Sequence, residues 1–163
     1  MRKMLVIAVA LTAALGLVGS ATAGASAPAK KPPVKLSGKV TNKGTKTVKG
    51  GKITLEADDF YFKPSFIKGT AGSTVKVTIK NEGSATHTFT ADDNSFDQNL
   101  SPGDKATVTV TIPADGSALA FHCNFHGDQG MKGAFFSKPN ATATSKDSGS
   151  TATTKPSTGG YGY

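Results

Sequence analysis

Most of the residues in this chain that could bind a soft metal ion lie within ten positions. The 163-residue sequence has one Cys, Cys123, and three His, His87, His122 and His126. Met131 is the only Met beyond position 4; two residues separate Cys123 from His126, and four more precede Met131. A thiolate, two imidazoles and a weak thioether form the ligand set of a blue-copper site that transfers electrons. The residue types and their spacing therefore predict a copper centre.

The same counts exclude other kinds of site. A single Cys can form neither an intramolecular disulfide nor a zinc site made of Cys alone, which needs about four thiolates. If two of the three His bind the first copper, the third cannot build a second, catalytic copper centre. Zinc could also occupy one Cys and two His, although the usual affinity order of divalent metals favours copper. We therefore expect one copper ion, no further cofactor and no enzymatic activity.

Short strand signals dominate the stretch from residue 53 to residue 138, which holds all nine Phe. Runs that alternate with a period of two, or that are rich in β-branched residues, are separated by turn residues such as Gly, Asn, Asp and Pro. The predicted strands are Ile53–Ala57, Ser73–Lys80, Thr86–Ala91, Lys105–Ile112, Ala118–His122 and Gly133–Ser137. Since no amphipathic helix of useful length accompanies them, the pattern predicts an all-β sandwich.

The first 23 residues have the three parts of a secretory signal peptide: the basic Arg2 and Lys3, an apolar run over 4–18, and small residues at 21–23. Cleavage as late as residue 27 is an alternative. The apolar run is shorter than the roughly 20 residues of a membrane span. We therefore expect a soluble protein that is secreted or otherwise extracytoplasmic, in a periplasm or at a cell surface.

Two segments flank the predicted domain at 53–138. Residues 28–52 contain eight Lys and no acid, and residues 139–163 are mostly Ser, Thr, Gly and Ala. Because neither segment has enough apolar residues to offset the entropy of ordering, we expect a flexible N-terminal arm and a flexible C-terminal tail. The domain has seven Lys and ten acids, so the net charge of +8 comes mainly from the arm. We expect the arm to contact anionic cell surfaces through long-range attraction.

The segment from Cys123 to Met131 resembles the ligand loop of the cupredoxin family, most closely that of its plastocyanin-like branch. The family loop reads Cys, two residues, His, four residues, Met. The resemblance covers residues 53–138: residues 60–75 are similar to the second and third strands of the family, and Leu100 to Asp104 to its turn before a β-branched strand.

The resemblance implies a Greek-key β-sandwich in which His87, Cys123 and His126 are the equatorial copper ligands and Met131 is the axial ligand. His122 neighbours Cys123 in a predicted strand, so its side chain should point to the opposite face and should not bind the metal.

Two positions depart from the family pattern. Relatives often have Asn directly after the first His, and its side chain braces the site. This chain has Thr88 at that position, and the Thr hydroxyl can brace less far because the side chain is shorter. Plastocyanins tend to have Pro before the second His, where this chain has Phe125, which keeps a backbone N–H. We hypothesise that this amide donates to the Cys123 sulfur and raises the reduction potential, since hydrogen bonds to the sulfur tune such sites.

Together these features predict an exported mononuclear blue (type 1) copper protein that carries one electron between redox partners as copper cycles between Cu(II) and Cu(I). We expect a monomer that meets an unidentified redox partner protein and binds no nucleic acid. The alternative is a module that sequesters or delivers copper without such a partner. A storage protein would gain from additional Met and His ligands, which this sequence lacks, so electron transfer is the favoured function.

Overall fold

The computed structural model describes residues 31–144. The predicted signal peptide at 1–23 and the greater part of the predicted tail, residues 145–163, lie outside the described residues. Within them the chain forms eleven strands and one short 3-10 helix, Gly127–Gln129. No helix in this part of the chain is long and apolar enough to cross a membrane. The prediction of an all-β fold is confirmed.

The strands form two mixed sheets. In chain order they are β1 (Thr45–Thr47), β2 (Lys52–Asp58), β3 (Tyr61–Lys63), β4 (Phe66–Lys68), β5 (Thr74–Asn81), β6 (His87–Ala91), β7 (Asp97–Leu100), β8 (Lys105–Thr111), β9 (Ala118–His122), β10 (Lys132–Phe136) and β11 (Ala143–Thr144). The larger sheet has the order β1-β4-β10-β9-β6-β7, with β11 also paired to β9, and the smaller sheet has the order β3-β2-β5-β8. All six strands predicted from the sequence are present within one or two residues of their predicted ends.

The core of the sandwich is built from alternating residues of both sheets. In β8, Val108 and Val110 are buried while Thr107 and Thr109 are exposed, as expected for a strand that covers the core with one face. Phe rings fill the space between the sheets, and those of Phe62, Phe89, Phe121 and Phe135 are fully buried there. Several pack edge to face, for example Phe62 and Phe121, with centroids 5.2 Å apart. Cys123 and Met131 belong to the same buried cluster, so the candidate ligands extend the core.

The sheet registers bring the candidate ligands to one end of the sandwich. β9 and β10 are antiparallel with His122 opposite Lys132, so the chain between them, residues 123–131, forms a loop at that end. β6 pairs with β9 only through Thr90 and Ala91. Its first residue, His87, therefore extends past the end of β9 towards the loop.

The described part of the Lys-rich segment, residues 31–52, differs from the flexible arm that its composition predicts. β1 pairs in parallel with β4, and Val34 is only 1% exposed in a second apolar cluster. The Thr41 N–H donates to the Gly130 carbonyl at 2.8 Å. Backbone hydrogen bonds do not depend on side-chain composition, so a segment with few apolar residues can still be held as a sheet edge. The lysines of this segment are therefore carried on the surface of the sandwich.

The first residues of the predicted tail also contact the sheet. Ala141 is buried in the second apolar cluster, and β11 pairs in parallel with β9. A bridge between Lys35 and Thr142 links the two ends of the described chain. Residues on both sides of 53–138 thus cover one face of the larger sheet.

Candidate metal centre

The loop after β9 is held in shape by its own backbone. The Cys123 carbonyl accepts hydrogen bonds from the N–H groups of His126 and Gly127, at 3.3 and 2.8 Å. The Met131 N–H donates to the His126 carbonyl at 3.2 Å, and the Cys123 N–H donates to the Met131 carbonyl at 3.1 Å. Gly130 has a φ of 106°, which favours glycine, and a Cβ there would lie 2.6 Å from the Thr41 hydroxyl. The turn fixes the spacing of the candidate ligands before any metal binds.

Three of the four predicted ligands converge at one point. The Nδ1 atoms of His87 and His126 are 3.1 Å apart, and the Cys123 sulfur lies 3.5 Å from the His126 Nδ1 and 3.9 Å from the His87 Nδ1. Protein metal bonds to N and S of about 2.0 to 2.3 Å place neighbouring ligand atoms about 3 to 4 Å apart. The three atoms therefore fit around one ion, and the set of two imidazoles and one thiolate suits copper.

The site is largely closed to solvent. Cys123 and His87 are fully buried, whereas His126 is partly exposed. Burial, with a smaller contribution from the neighbouring His87, lowers the pKa of His126 below its ordinary value. The His126 ring is therefore neutral at pH 7 and keeps a nitrogen lone pair available for a metal.

Met131, the predicted axial ligand, is fully buried. Its backbone is fixed by the hydrogen bonds that join it to Cys123 and His126. It shares the buried cluster with Cys123. The Met131 side chain thus belongs to the apolar surroundings of the candidate metal centre.

The Cys123 sulfur accepts its backbone hydrogen bond from Thr88. The Thr88 N–H donates to the sulfur at 3.3 Å, whereas the Phe125 amide, for which we hypothesised this bond, makes no such contact among the described residues. The Thr88 hydroxyl oxygen also accepts the Asn124 N–H at 2.8 Å and the Thr90 hydroxyl at 3.0 Å. Thr88 therefore braces the ligand loop despite its short side chain.

Asp59, in the turn between β2 and β3, contacts the ring nitrogen of His87 that does not face Cys123 and His126. Its Oδ1 lies 3.0 Å from the His87 Nε2, and its Oδ2 accepts the hydroxyl and the N–H of Ser84 at 2.6 and 3.0 Å. These hydrogen bonds from Ser84 hold the pKa of the Asp59 carboxyl well below its usual range. Asp59 is therefore an anion at neutral pH that faces the buried imidazole. Its neighbour Asp58 accepts the Tyr61 hydroxyl instead, so only tertiary contacts distinguish these two adjacent acids.

An aromatic ring that sequence reasoning did not assign to the site covers His126. The Phe60 ring lies 4.2 Å from the His126 ring, centroid to centroid, at an interplanar angle of 31°. Phe125 is 59% exposed, with its centroid 6.2 Å from that of His126. The partly exposed imidazole thus has two aromatic neighbours, one packed against it and one open to solvent.

His122 lies outside the cluster, as strand alternation predicts. Its Nδ1 is 2.7 Å from the Asp92 Oδ1, and this hydrogen bond raises the pKa of His122 above its ordinary value. His122 is therefore paired with a carboxylate on the other face of β9.

The chain is similar to several proteins of known structure. No curated protein matches the chain. Among solved structures the chain is similar to dithionite-reduced auracyanin from the photosynthetic bacterium Roseiflexus castenholzii, at 21% identity and a TM-score of 0.47 over 55% of this chain and 98% of that one. It is also similar to the metal-binding domain of the Cu(I)-exporting P-type ATPase CopA of Streptococcus pneumoniae, at 15% identity and a TM-score of 0.46 over 58% of this chain and 96% of that one.

A third similar chain belongs to a heme-copper terminal oxidase dimer, at 18% identity and a TM-score of 0.46 over 55% of this chain and 66% of that one. A family model described as a cupredoxin-like domain matches residues 9–135. Because this match spans well over half of the 163 residues, the chain belongs to the family of cupredoxin-like domains.

Proposed function

We propose that this protein is an exported mononuclear type 1 copper protein that carries single electrons between redox partners. The observation that supports the proposal most directly is the convergence of His87, Cys123 and His126, whose ligand atoms all lie within 4.8 Å of one another. Their donor set is the one that defines blue-copper electron-transfer sites. A bound copper ion would supply the one-electron couple between Cu(II) and Cu(I).

The protein's own residues would hold the metal as follows. Cys123 offers its thiolate sulfur, and the two His offer their Nδ1 atoms, which face the sulfur at 3.9 and 3.5 Å. The Met131 thioether would be the fourth ligand, because Met131 is fully buried, its carbonyl accepts the Cys123 N–H at 3.1 Å, and a weak Met ligand completes the type 1 set. The Thr88 N–H, which donates to the sulfur, would draw electron density from the thiolate and favour the reduced state.

Rigidity of the ligands supports electron transfer over catalysis. The loop hydrogen bonds, the Thr88 brace and the Asp59 contact each fix a ligand from outside the first coordination sphere. A site whose ligands move little on a change of oxidation state has a small reorganisation cost. His122 is the one His of the sequence outside this cluster, and a single His cannot by itself build a second, catalytic copper centre. We therefore assign a carrier rather than an enzyme.

The partly exposed edge of His126 is the route that we assign to the electron. His87 and Cys123 are fully buried, so His126 is the ligand among these three that approaches solvent. Exposed Phe125 lies next to it, and an aromatic side chain at such a position is suited to contact with a partner protein. We propose a monomer that meets its redox partner briefly at this end of the sandwich. Export depends on the predicted signal at 1–23.

The proposal is tested by loading the protein with Cu(II) and recording visible and EPR spectra. We expect an intense thiolate-to-copper charge-transfer band and narrow copper hyperfine splitting. Cys123→Ser should abolish the band while the sandwich stays folded, and His87→Gln or His126→Gln should change the spectrum. His122→Gln is the matched control and should leave it unaltered. A fully copper-loaded wild-type protein without the charge-transfer band would refute the type 1 site.

A second measurement separates a carrier from a copper store. For a carrier we expect reversible one-electron redox titration and rapid electron exchange with a small inorganic redox reagent, with copper retained in both states. If the protein instead releases copper on reduction, the alternative of sequestration or delivery is correct.

A further inference from the structure

Three lysines of the N-terminal segment line one cleft. Lys46, Lys49 and Lys52 line a cleft of about 590 Å³ together with three Thr hydroxyls and one Ile, and no acidic residue is part of the lining. The Thr residues are Thr45, Thr47 and Thr54. All three lysines are exposed. The cleft therefore presents positive charge and hydroxyl donors without an internal counter-ion.

The two sheets add further lysines to the same region. Lys76 of β5 lies opposite Lys52 of β2, and Lys68 of β4 lies opposite Thr47 of β1. Within residues 31–144 the lysine ion pairs are Lys63 with Glu56 and Lys80 with Glu82. The three lysines of the cleft and the two added here therefore take part in no ion pair in this part of the chain. We call Lys46, Lys49, Lys52, Lys68 and Lys76 the basic pole.

The basic pole is at the end of the sandwich remote from the candidate metal centre. β2 begins at Lys52 and ends at Asp58, and the next residue, Asp59, contacts His87. Seven residues of extended chain at about 3.3 Å each separate the two ends by about 20 Å. A ligand on the basic pole would therefore leave the exposed edge of His126 free.

We propose that the basic pole binds a linear polymer of phosphate groups. Lysine ammonium groups are compact point charges that attract phosphate, and the neighbouring Thr hydroxyls can donate hydrogen bonds to its oxygens. A cleft suits a single polymer strand, whereas insertion into a lipid surface needs apolar side chains. The one large apolar side chain exposed among the described residues, Phe125, is at the other end. The cleft also lacks aromatic side chains on which nucleic-acid bases could stack.

The proposed binding of a phosphate polymer does not depend on the proposed electron-transfer function, because the binding requires no copper. The test measures binding of inorganic polyphosphate to the exported form of the protein. The variant Lys46→Gln/Lys49→Gln/Lys52→Gln removes three charges from the cleft. Its matched control, Lys63→Gln/Lys80→Gln/Lys105→Gln, also removes three charges. These lie on the smaller sheet, at the end near the candidate metal centre. Copper spectra of both variants check the fold and the metal centre separately.

We expect the cleft variant to bind polyphosphate about tenfold more weakly than wild type at low salt, and the control variant to bind nearly as wild type does. Raising the salt from about 50 to 200 mM should weaken wild-type binding about 20-fold, since neutralising roughly three phosphates of a single strand gives a slope of about −2 in log K against log salt. Equal losses in the two variants would overturn the proposal. So would preferential binding to anionic phospholipid vesicles, or binding to single-stranded DNA that is tighter than binding to polyphosphate of equal charge.

Discussion

The carboxylate of Asp59 lies 3.0 Å from the Nε2 of His87. Because an ionised carboxylate can only accept, Nε2 carries the proton, and the Nδ1 lone pair points to Cys123 and His126. The pair therefore sets both the tautomer and the ring orientation of a candidate ligand. Asp59 is itself held by Ser84 and Ala85, so the orientation of His87 depends on a network that begins outside the ligand loop.

Replacement of Asp59 should weaken copper binding. Loss of such a partner typically costs about 10- to 100-fold in metal affinity, and we expect a loss in this range for Asp59→Ala in a competition titration against a chelator. Asp59→Asn should recover part of the affinity, because its amide oxygen can still accept the proton of Nε2. Asp93→Ala is the control, since its carboxylate accepts the Ser95 amide instead. Equal affinities for Asp59→Ala and wild type would contradict the assigned role.

Gly83 should be intolerant of a side chain. A Cβ at this position would overlap the Asp59 carboxylate and come within 3.1 Å of the His87 Nε2. Overpacking of this kind commonly destabilises a protein by about 1 to 3 kcal/mol. We expect Gly83→Ala to lower both the free energy of unfolding and the copper affinity. In Gly127→Ala, where the nearest atom would be 3.5 Å from the new Cβ, the free energy of unfolding should change little; a comparable loss there would mean that the Asp59 contact is not the cause.

The Thr88 hydroxyl should contribute measurably to stability. Its oxygen accepts the Asn124 N–H at 2.8 Å, and loss of one such hydrogen bond costs about 1 kcal/mol. Denaturant unfolding of the copper-free protein should show this loss for Thr88→Val. Thr88→Ser keeps the hydroxyl and should retain the stability. Both variants keep the backbone N–H that donates to the sulfur, so the position of the charge-transfer band should be similar in both.

The Tyr61 hydroxyl should make stability depend on acid pH. It donates to the Asp58 Oδ2 at 2.6 Å, and this hydrogen bond, more than that from the Asp59 amide, lowers the pKa of Asp58 below its ordinary value. A depressed carboxyl pKa contributes stability above the unfolded-state pKa, and that contribution is lost as pH falls through the folded-state pKa. The stability difference between wild type and Tyr61→Phe should therefore be constant near neutral pH and shrink below about pH 4. A difference that grows as the pH falls would be inconsistent with this pairing.

The candidate ligands could be predicted from the sequence because most of them lie at a characteristic spacing within one short segment. Cys123, His126 and Met131 belong to one loop, and the strand pattern places His87 at the start of a neighbouring strand. What supports these ligands was not predictable, because Asp59, Phe60 and Thr88 reach the site through pairings between residues about 28 to 66 positions apart. An acidic pair in a turn has the same sequence signature whether it faces solvent or a buried imidazole.

The strand pattern predicted β8, where side chains alternate, and missed the edge strands β1 and β7, where pairing depends on the backbone. β8 has two β-branched residues on its buried face, Val108 and Val110. β7, with the sequence Asp-Gln-Asn-Leu, is a polar edge strand, and β1 consists of exposed Thr and Lys. Neither carries an apolar alternation, since each lies at an edge where the partner strand supplies the order.

The pairing of residues 31–52 with the sandwich determines which fragment of this protein can be expected to fold by itself. A chain cut at residue 53 would lose the edge strand β1. It would also lose the Thr41 amide that donates to Gly130 in the ligand loop and the Lys43 amide that donates to Ser65. A fragment that retains residues 31–52 keeps these bonds, and is therefore preferable to one cut at residue 53 for work on the candidate metal centre.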